Sequence, residues 1–160
     1  MTEPEKFTLE AAQKEFAKKT NGRVWQLLGQ ATRTSAEDDE MLLTAQASLY
    51  HWQQAGTAVH AQRGHWLLAH VYTLLGDSAL ALKHAARCLE IAEGHPAEME
   101  DFDIAYAYEG LARANALGGN TAEAKVYFDL AKAAGEKISD REGKDIFLGD
   151  FQIGPWFGIN

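Results

Sequence analysis

Six histidines and one cysteine are the residues of this chain best suited to bind a metal ion. His60, His65 and His70 follow one another at steps of five, and each step turns a helical side chain by about 140°. The three side chains therefore point to different faces and cannot hold one ion together. His84 and Cys88 do share a helix face, but zinc would need two further ligands. We predict no metal site and interpret Cys88 as a small packing residue.

Acid–base catalysis is the other chemistry that these histidines could support. His51-Trp52 and His65-Trp66 place imidazoles of near-neutral pKa beside indoles. No nucleophile or carboxylate stands at a recognisable triad spacing, and no HExxH, GxSxG or Gly-rich phosphate loop occurs. We interpret these histidines as packing and helix-end residues. The sequence predicts no catalytic residues, no enzyme activity and no cofactor.

The elements that position these residues are predicted to be helices. The alternation of β-branched and polar residues that is typical of strands is not sustained anywhere, whereas helix start and stop signals recur. Short, glycine-marked connections predict that neighbouring helices pack antiparallel. We predict seven helices and a shorter eighth, over residues 8–20, 23–33, 35–55, 57–75, 78–92, 98–117, 121–137 and 139–149.

Two of these boundaries depend on local signals. The Asn21-Gly22 pair is interpreted as a break between the first two helices, because both residues disfavour a helix interior. Ser35 is predicted to cap the third helix, with Asp38 at the capping-box spacing.

Two helix-turn-helix stretches repeat each other at a spacing of 43 residues. Self-similarity at a fixed period is typical of stacked repeats. The first stretch contains Leu68-Ala69, Gly76-Asp77, Ala81 and Cys88, and the second contains Leu111-Ala112, Gly119-Asn120, Ala124 and Ala131.

This repeat resembles the tetratricopeptide (TPR) family, in which small, large and aromatic residues alternate around a glycine turn. Tyr72 in the first unit and Tyr108 and Phe128 in the second also fit the family pattern. Ala85 and Asn115 stand where aromatics are usual, and the period exceeds the family's value of about 34 residues. The chain is also similar to a group of uncharacterised bacterial TPR-like proteins. The resemblance implies a protein that binds peptides or protein partners.

We therefore expect one all-α domain, a TPR-like stack of antiparallel helix pairs that forms a short right-handed superhelix of seven to eight helices. A third, degraded unit begins near Trp25. In this unit Ser35-Ala36 stands in the place of the glycine turn. The predicted parts are an N-terminal helix (1–22), the degraded repeat (23–56), two repeats (57–94 and 98–138), and a C-terminal helix with an aromatic tail (139–160).

Positions that do not face the partner helix are expected to line an inner groove. Steps of three and four residues select one face in each unit. Four of the selected residues are arginines, which would suit an acidic or C-terminal peptide segment because guanidinium groups bind carboxylates bidentately. The alternative is that these arginines are solvated or paired with carboxylates of the chain itself. The predicted groove residues are Arg23, Arg33, Arg63, Trp66, His70, Tyr106, Glu109 and Arg113.

The last fourteen residues are rich in large apolar side chains, although Gly154-Pro155 prevents a continuous helix. A disordered tail is normally polar, so this one is expected to be docked. We favour a cap over the last helix pair, which solenoids need. There are two alternatives. The tail could insert into the groove of its own chain, or into the groove of a neighbouring chain to form a homodimer. Phe151, Trp156 and Phe157 are the tail residues expected to make these contacts.

Composition limits the class of partner. A net charge of −8 argues against nucleic acid and against an anionic membrane surface. The single cysteine and the lack of a secretory-type apolar run predict a soluble cytoplasmic protein. We expect a non-enzymatic protein-interaction module. The alternatives are a structural homo-oligomer that uses the aromatic tail, or a small-molecule binder or enzyme that uses the surface of Trp66, His70 and Tyr106.

Overall fold

The computed structural model describes residues 7–160, and within that range the chain is all-α, with seven α-helices and no strand. This confirms the predicted all-α class. The part of the predicted N-terminal helix at residues 1–6 lies outside the described range. The helices are α1 (Leu9–Leu28), α2 (Ser35–Ala55), α3 (Ala58–Leu75), α4 (Ser78–Gly94), α5 (Asp101–Leu117), α6 (Thr121–Glu136) and α7 (Arg141–Gln152), with a 3₁₀ turn at Pro96–Glu98.

The predicted break at Asn21-Gly22 is wrong, because α1 runs through both residues. A glycine in a helix interior costs about 1 kcal/mol relative to alanine. Burial on both sides of the pair offsets this cost: Ala17 and Val24 are fully buried on the helix face that packs against α2. The predicted unit 23–56 therefore begins in the middle of a helix, and the first helix pair is α1 with α2.

The start of α2 also differs from the prediction by one residue. Thr34 is the N-cap, and its hydroxyl accepts from the backbone N–H of Glu37 while the Glu37 carboxylate accepts from the Thr34 N–H. Asp38 instead binds Arg33 at 2.7 Å. A capping box was therefore predicted correctly, but one residue too far along the chain. Asp38 does not take part in it because Asp38 binds Arg33, which lies just before the helix.

The two glycine turns of the repeat have the same geometry. Gly76 and Gly119 both adopt left-handed backbone angles, with φ of 83° and 78°. In each turn the N–H after the glycine closes the helix end, Asp77 donating to the Tyr72 carbonyl and Asn120 to the Asn115 carbonyl. A residue with a Cβ would be strained at this φ, which explains the glycine at both positions.

The core lies between consecutive helices. Packed neighbours are α1 with α2, α2 with α3, α3 with α4, α4 with α5 and α5 with α6, and α3 also contacts α5 directly. Small residues at the repeat-equivalent positions are fully buried, which lets the helices approach closely. They are Ala69, Ala81, Cys88, Ala112, Ala124 and Ala131.

The C-terminal segment packs on α5 and α6 of its own chain. Phe128 of α6 contacts Phe151 and Trp156, with ring centroids 4.7 and 4.8 Å apart. Phe151, Trp156 and Ile159 are buried among apolar side chains of α5, α6 and α7, whereas Phe157 is 42% exposed. The segment thus covers the last helix pair, and Arg113, one of the predicted groove residues, contacts its Trp156 ring. Within residues 7–160, no helix has the length and apolar character needed to cross a bilayer.

Candidate functional site

A cavity of about 500 Å³ opens between α1, α2, α3, α5 and α7. Its lining is dominated by aromatic side chains from four different helices or their ends. Polar groups stand between the rings and come mainly from α3, α5 and α7. The aromatic lining residues are Trp25, Trp52, Trp66, Phe102 and Tyr106, and the polar ones include Asn21, Ser48, His60, Gln62, Arg63, Asp103 and Asp150.

Trp66 lies at the centre of this aromatic lining. Its ring stacks on Trp25 of α1 (centroids 6.1 Å apart) and on His70 one turn along α3 (5.2 Å), and it meets Tyr106 of α5 edge-on (5.1 Å). Trp25 is about half exposed, so one wall of the cavity is an accessible indole. Gly110 of α5 faces this indole, and a Cβ there would lie 3.4 Å from the Trp66 ring, in ordinary van der Waals contact.

A second cavity, of about 370 Å³, lies along the same surface. It shares Trp25, Trp66 and Asp150 with the first, and His70, Glu109 and Arg113 also line it. The two cavities therefore meet at the Trp25–Trp66 pair. We call them together the aromatic groove.

A buried ion pair supports this surface from α5. Glu109 and Arg113 are 3% and 4% exposed and bind each other through Oε1 and Nε. The Trp66 Nε1–H donates to Glu109 Oε2 at 2.8 Å. Arg113 also donates to the main-chain carbonyls of Asp150 and Pro155, and its guanidinium lies 4.0 Å from the Trp156 ring. This arginine therefore joins α5 to the C-terminal segment.

Arg63 is paired across the first cavity. Its Nε and Nη2 donate to the two carboxylate oxygens of Asp103 at 2.8 and 3.1 Å, and its guanidinium lies 5.0 Å from the Phe102 ring. Asp103 is 2% exposed, and its main-chain carbonyl accepts from Gln62 Nε2 at 3.0 Å. Gln62 is also buried, yet its Oε1 has no hydrogen-bond partner.

The two remaining arginines lie outside both cavities and are also paired. Arg23 binds Glu40 through two hydrogen bonds of 2.7 and 2.8 Å that join α1 to α2, and Arg33 binds Asp38. The alternative of pairing within the chain therefore holds for all four predicted arginines, although only Arg113 pairs with the predicted Glu109. Helical spacing selected residues of α3 and α5 that line the two cavities, but it could not reveal these partners.

The predicted groove residues thus divide into three sets. Arg63, Trp66 and Tyr106 line the first cavity, His70, Glu109 and Arg113 line the second, and Arg23 and Arg33 line neither. Sequence reasoning missed the groove roles of Trp25, Trp52, Phe102 and Asp150. Trp25 stands at the start of the degraded unit and was a signal in the sequence, whereas the placement of Trp52 and Asp150 depends on the whole fold.

Burial favours the neutral forms of three groove residues, His60, His70 and Tyr106. It lowers the pKa of His60, where Arg63 adds to the effect, and it lowers the pKa of His70, where Glu109 opposes it in part. Burial, with the hydrogen bond from Tyr106 to Asp150 (2.6 Å) as a second cause, raises the pKa of the Tyr106 phenol. Neither histidine therefore adds positive charge to the groove near neutral pH.

The other histidines and the cysteine have structural partners. His65 and His84 face each other, with their Nδ1 atoms 3.0 Å apart, and the Tyr72 ring stacks on His84. Burial strongly raises the pKa of the Cys88 thiol, whose sulfur accepts from Gln62. Across residues 7–160, no group of three or more metal-ligating side chains is placed to hold an ion.

Comparison with family models, curated proteins and solved structures finds no match for this chain.

Proposed function

We propose that this protein is a non-enzymatic interaction module that holds a segment of a protein partner in the aromatic groove. The observation that supports this proposal is the cavity of about 500 Å³ walled by Trp25, Trp52, Trp66 and Tyr106. Aromatic side chains dominate the energetics of protein interfaces because they bury a large area with few rotatable bonds. A TPR-like stacking of the helix pairs is part of the proposal, and the contact between α3 and α5 supports it.

The partner contacts are proposed to come from the aromatic walls and not from the arginines. A guanidinium that already binds a carboxylate through two hydrogen bonds has little left to offer a peptide carboxylate. Arg63 is in this position with Asp103, and Arg113 with Glu109 and two carbonyls. The geometry therefore gives less support to an acidic peptide than the sequence pattern did.

A selection from a random dodecapeptide library tests the proposal. Enriched peptides are measured by calorimetry against the native chain and against Trp25→Ala, which removes an exposed cavity wall. Loss of one interface tryptophan is expected to weaken binding at least about tenfold. Tyr50→Ala is the matched control, because Tyr50 is 56% exposed and lies outside both cavities. The proposal fails if no peptide binds, or if Trp25→Ala binds all peptides as tightly as the native chain.

A small-molecule binding protein is the second candidate, and the size of the cavity favours it. Pockets for drug-sized ligands occupy about 300–1,000 Å³, a range that includes the first cavity. A thermal-shift screen of small apolar compounds distinguishes the candidates. Stabilisation by a compound that Trp25→Ala abolishes, together with an empty peptide selection, would favour this second function.

The homo-oligomer alternative has weaker support, because Phe151 and Trp156 are buried within their own chain. Light scattering of the full chain tests this alternative, and a dimer in solution would support it.

A cytoplasmic location is also proposed, supported by the lone, buried Cys88. Fractionation with a specific antibody would check this location.

A further inference from the structure

We propose that the group held in the first cavity is a lysine or arginine side chain from a basic segment of a protein partner. This inference rests on the proposed function and specifies the chemistry of the partner. It is argued from the charges that face the cavity, from the aromatic walls and from one unpaired buried acceptor.

The charges that line the first cavity leave one carboxylate without a cation. Arg63 and Asp103 neutralise each other, and His60 is neutral because burial lowers its pKa. Among the described residues, Asp150 has no ion-pair partner: it accepts from the Tyr106 hydroxyl, and its side chain is exposed. Arg113 binds only its main-chain carbonyl, and Glu109 balances that guanidinium. The cavity therefore has a net negative charge at Asp150.

The aromatic walls suit the same occupant. The face of an indole or phenol ring attracts a cation through its quadrupole, and tryptophan does so most strongly. The long methylene stem of lysine or arginine packs on such rings while its charged end remains near polar groups. Trp25, Trp66 and Tyr106 provide these faces beside Asp150, which lines the cavity with them.

Gln62 supplies an independent observation. It lines the cavity and is 1% exposed, and its Nε2 is already engaged with Asp103 and Cys88 while its Oε1 has no partner. A buried acceptor without a donor is costly. An ammonium or guanidinium group carries only donors and would satisfy this oxygen, whereas an apolar side chain or a carboxylate would not. The overall charge of −8 would also favour the approach of a basic segment.

The test uses four small probes that differ in charge at nearly constant shape. They are the Nα-acetyl amides of arginine, of its neutral isostere citrulline, of lysine and of its neutral analogue norleucine. Binding is followed through the indole N–H signals in proton–nitrogen spectra. Trp25, Trp52 and Trp66 line the cavity, whereas Trp156 lines neither cavity and serves as an internal reference.

The charged probes are expected to shift the three cavity indoles and to leave Trp156 unchanged. They should bind at least about fivefold more tightly than their neutral counterparts. Asp150→Asn keeps the acceptor for Tyr106 but removes the charge, so it should cancel most of this preference. Asp145→Asn, an exposed residue of the same helix, is the control and should leave the preference intact.

Equal binding of charged and neutral probes, or no shift of the cavity indoles, would overturn the cation assignment. These results leave the proposed function intact if selected peptides without basic residues still bind through Trp25. An empty peptide selection would instead overturn the proposed function itself.

Discussion

The indole of Trp66 donates a 2.8 Å hydrogen bond to Glu109, the residue that occupies the equivalent position one repeat later. Two residues that are 43 positions apart, one repeat period, are therefore in direct contact between α3 and α5. Because Glu109 is itself bound to Arg113, one buried carboxylate orients the central ring of the aromatic groove and connects it to the C-terminal segment.

Trp66→Phe should lower the free energy of unfolding by about 1–3 kcal/mol, because the ring is partly retained while Glu109 loses a donor. Urea denaturation at pH 7 measures the change. Trp25→Phe is the control, since that indole is about half exposed and makes no hydrogen bond among the described residues. An equal loss in both variants would show that ring size, and not the hydrogen bond, causes the effect.

Arg113→Met should cost about 3–5 kcal/mol, because it leaves the buried Glu109 carboxylate without a cation. Adding Glu109→Gln should recover part of this loss, since the unpaired charge is then absent. Arg23→Met should cost much less than Arg113→Met, because the Arg23–Glu40 pair is exposed to solvent. If the double variant is no more stable than Arg113→Met, charge burial is not the cause.

Trp156→Ala should destabilise the chain by about 3–5 kcal/mol, since this ring is 3% exposed and packs between Phe128, Phe151 and the Arg113 guanidinium. Phe157→Ala should change stability by less than about 1 kcal/mol, because Phe157 is 42% exposed. Thermal unfolding of both variants checks the contrast. Similar losses would mean that the segment is not a cap on α5 and α6.

Stability should fall as the pH drops from about 6.5 to about 4. Burial, with the nearby His84 as the next cause, lowers the pKa of His65 from 6.5 to about 4. Well above pH 6.5 both the folded and unfolded chains hold a neutral imidazole, so the residue contributes no pH dependence there. Between the two values the unfolded chain binds the proton first, and the folded state loses at most about 3 kcal/mol.

Urea midpoints measured between pH 4 and 7.5 would check this dependence. His65→Gln should flatten the curve, and the slope that remains belongs to the other buried histidines, whose pKa values are lowered in the same way, and to carboxylates. His95→Gln, at an exposed turn, is the control. A pH profile that His65→Gln leaves unchanged would contradict the assignment.

Local signals predicted the helices well where they coincide with backbone requirements. Gly76 and Gly119 were recognised as turns, and the structure shows that both need a left-handed conformation. The same type of signal failed at Gly22, where φ is ordinary and packing of the flanking residues against α2 outweighs the intrinsic preference. Glycine therefore indicates a turn only where the backbone demands it.

The candidate site was predictable only in part. The 3.6-residue period identified the face of α3 and α5 that carries Arg63, Trp66, Tyr106 and Arg113. It could not show that Asp103 and Glu109 would occupy the two arginines, since pairing depends on distances between different helices. Nor could it bring Trp25 and Asp150 to the same cavity, because 125 residues separate them in the chain.

The sequence by itself determined the helical class, the paired turns and the small residues that let neighbouring helices approach. Each of these follows from interactions within a few residues or from a periodic pattern. Only the tertiary structure decided which charges remain unpaired and which rings meet, because both depend on how α1, α3, α5 and α7 converge. The face was predicted to bind carboxylates through arginine. Within residues 7–160 its arginines are paired and its walls are aromatic, and Asp150 is the carboxylate of the groove that has no ion-pair partner there.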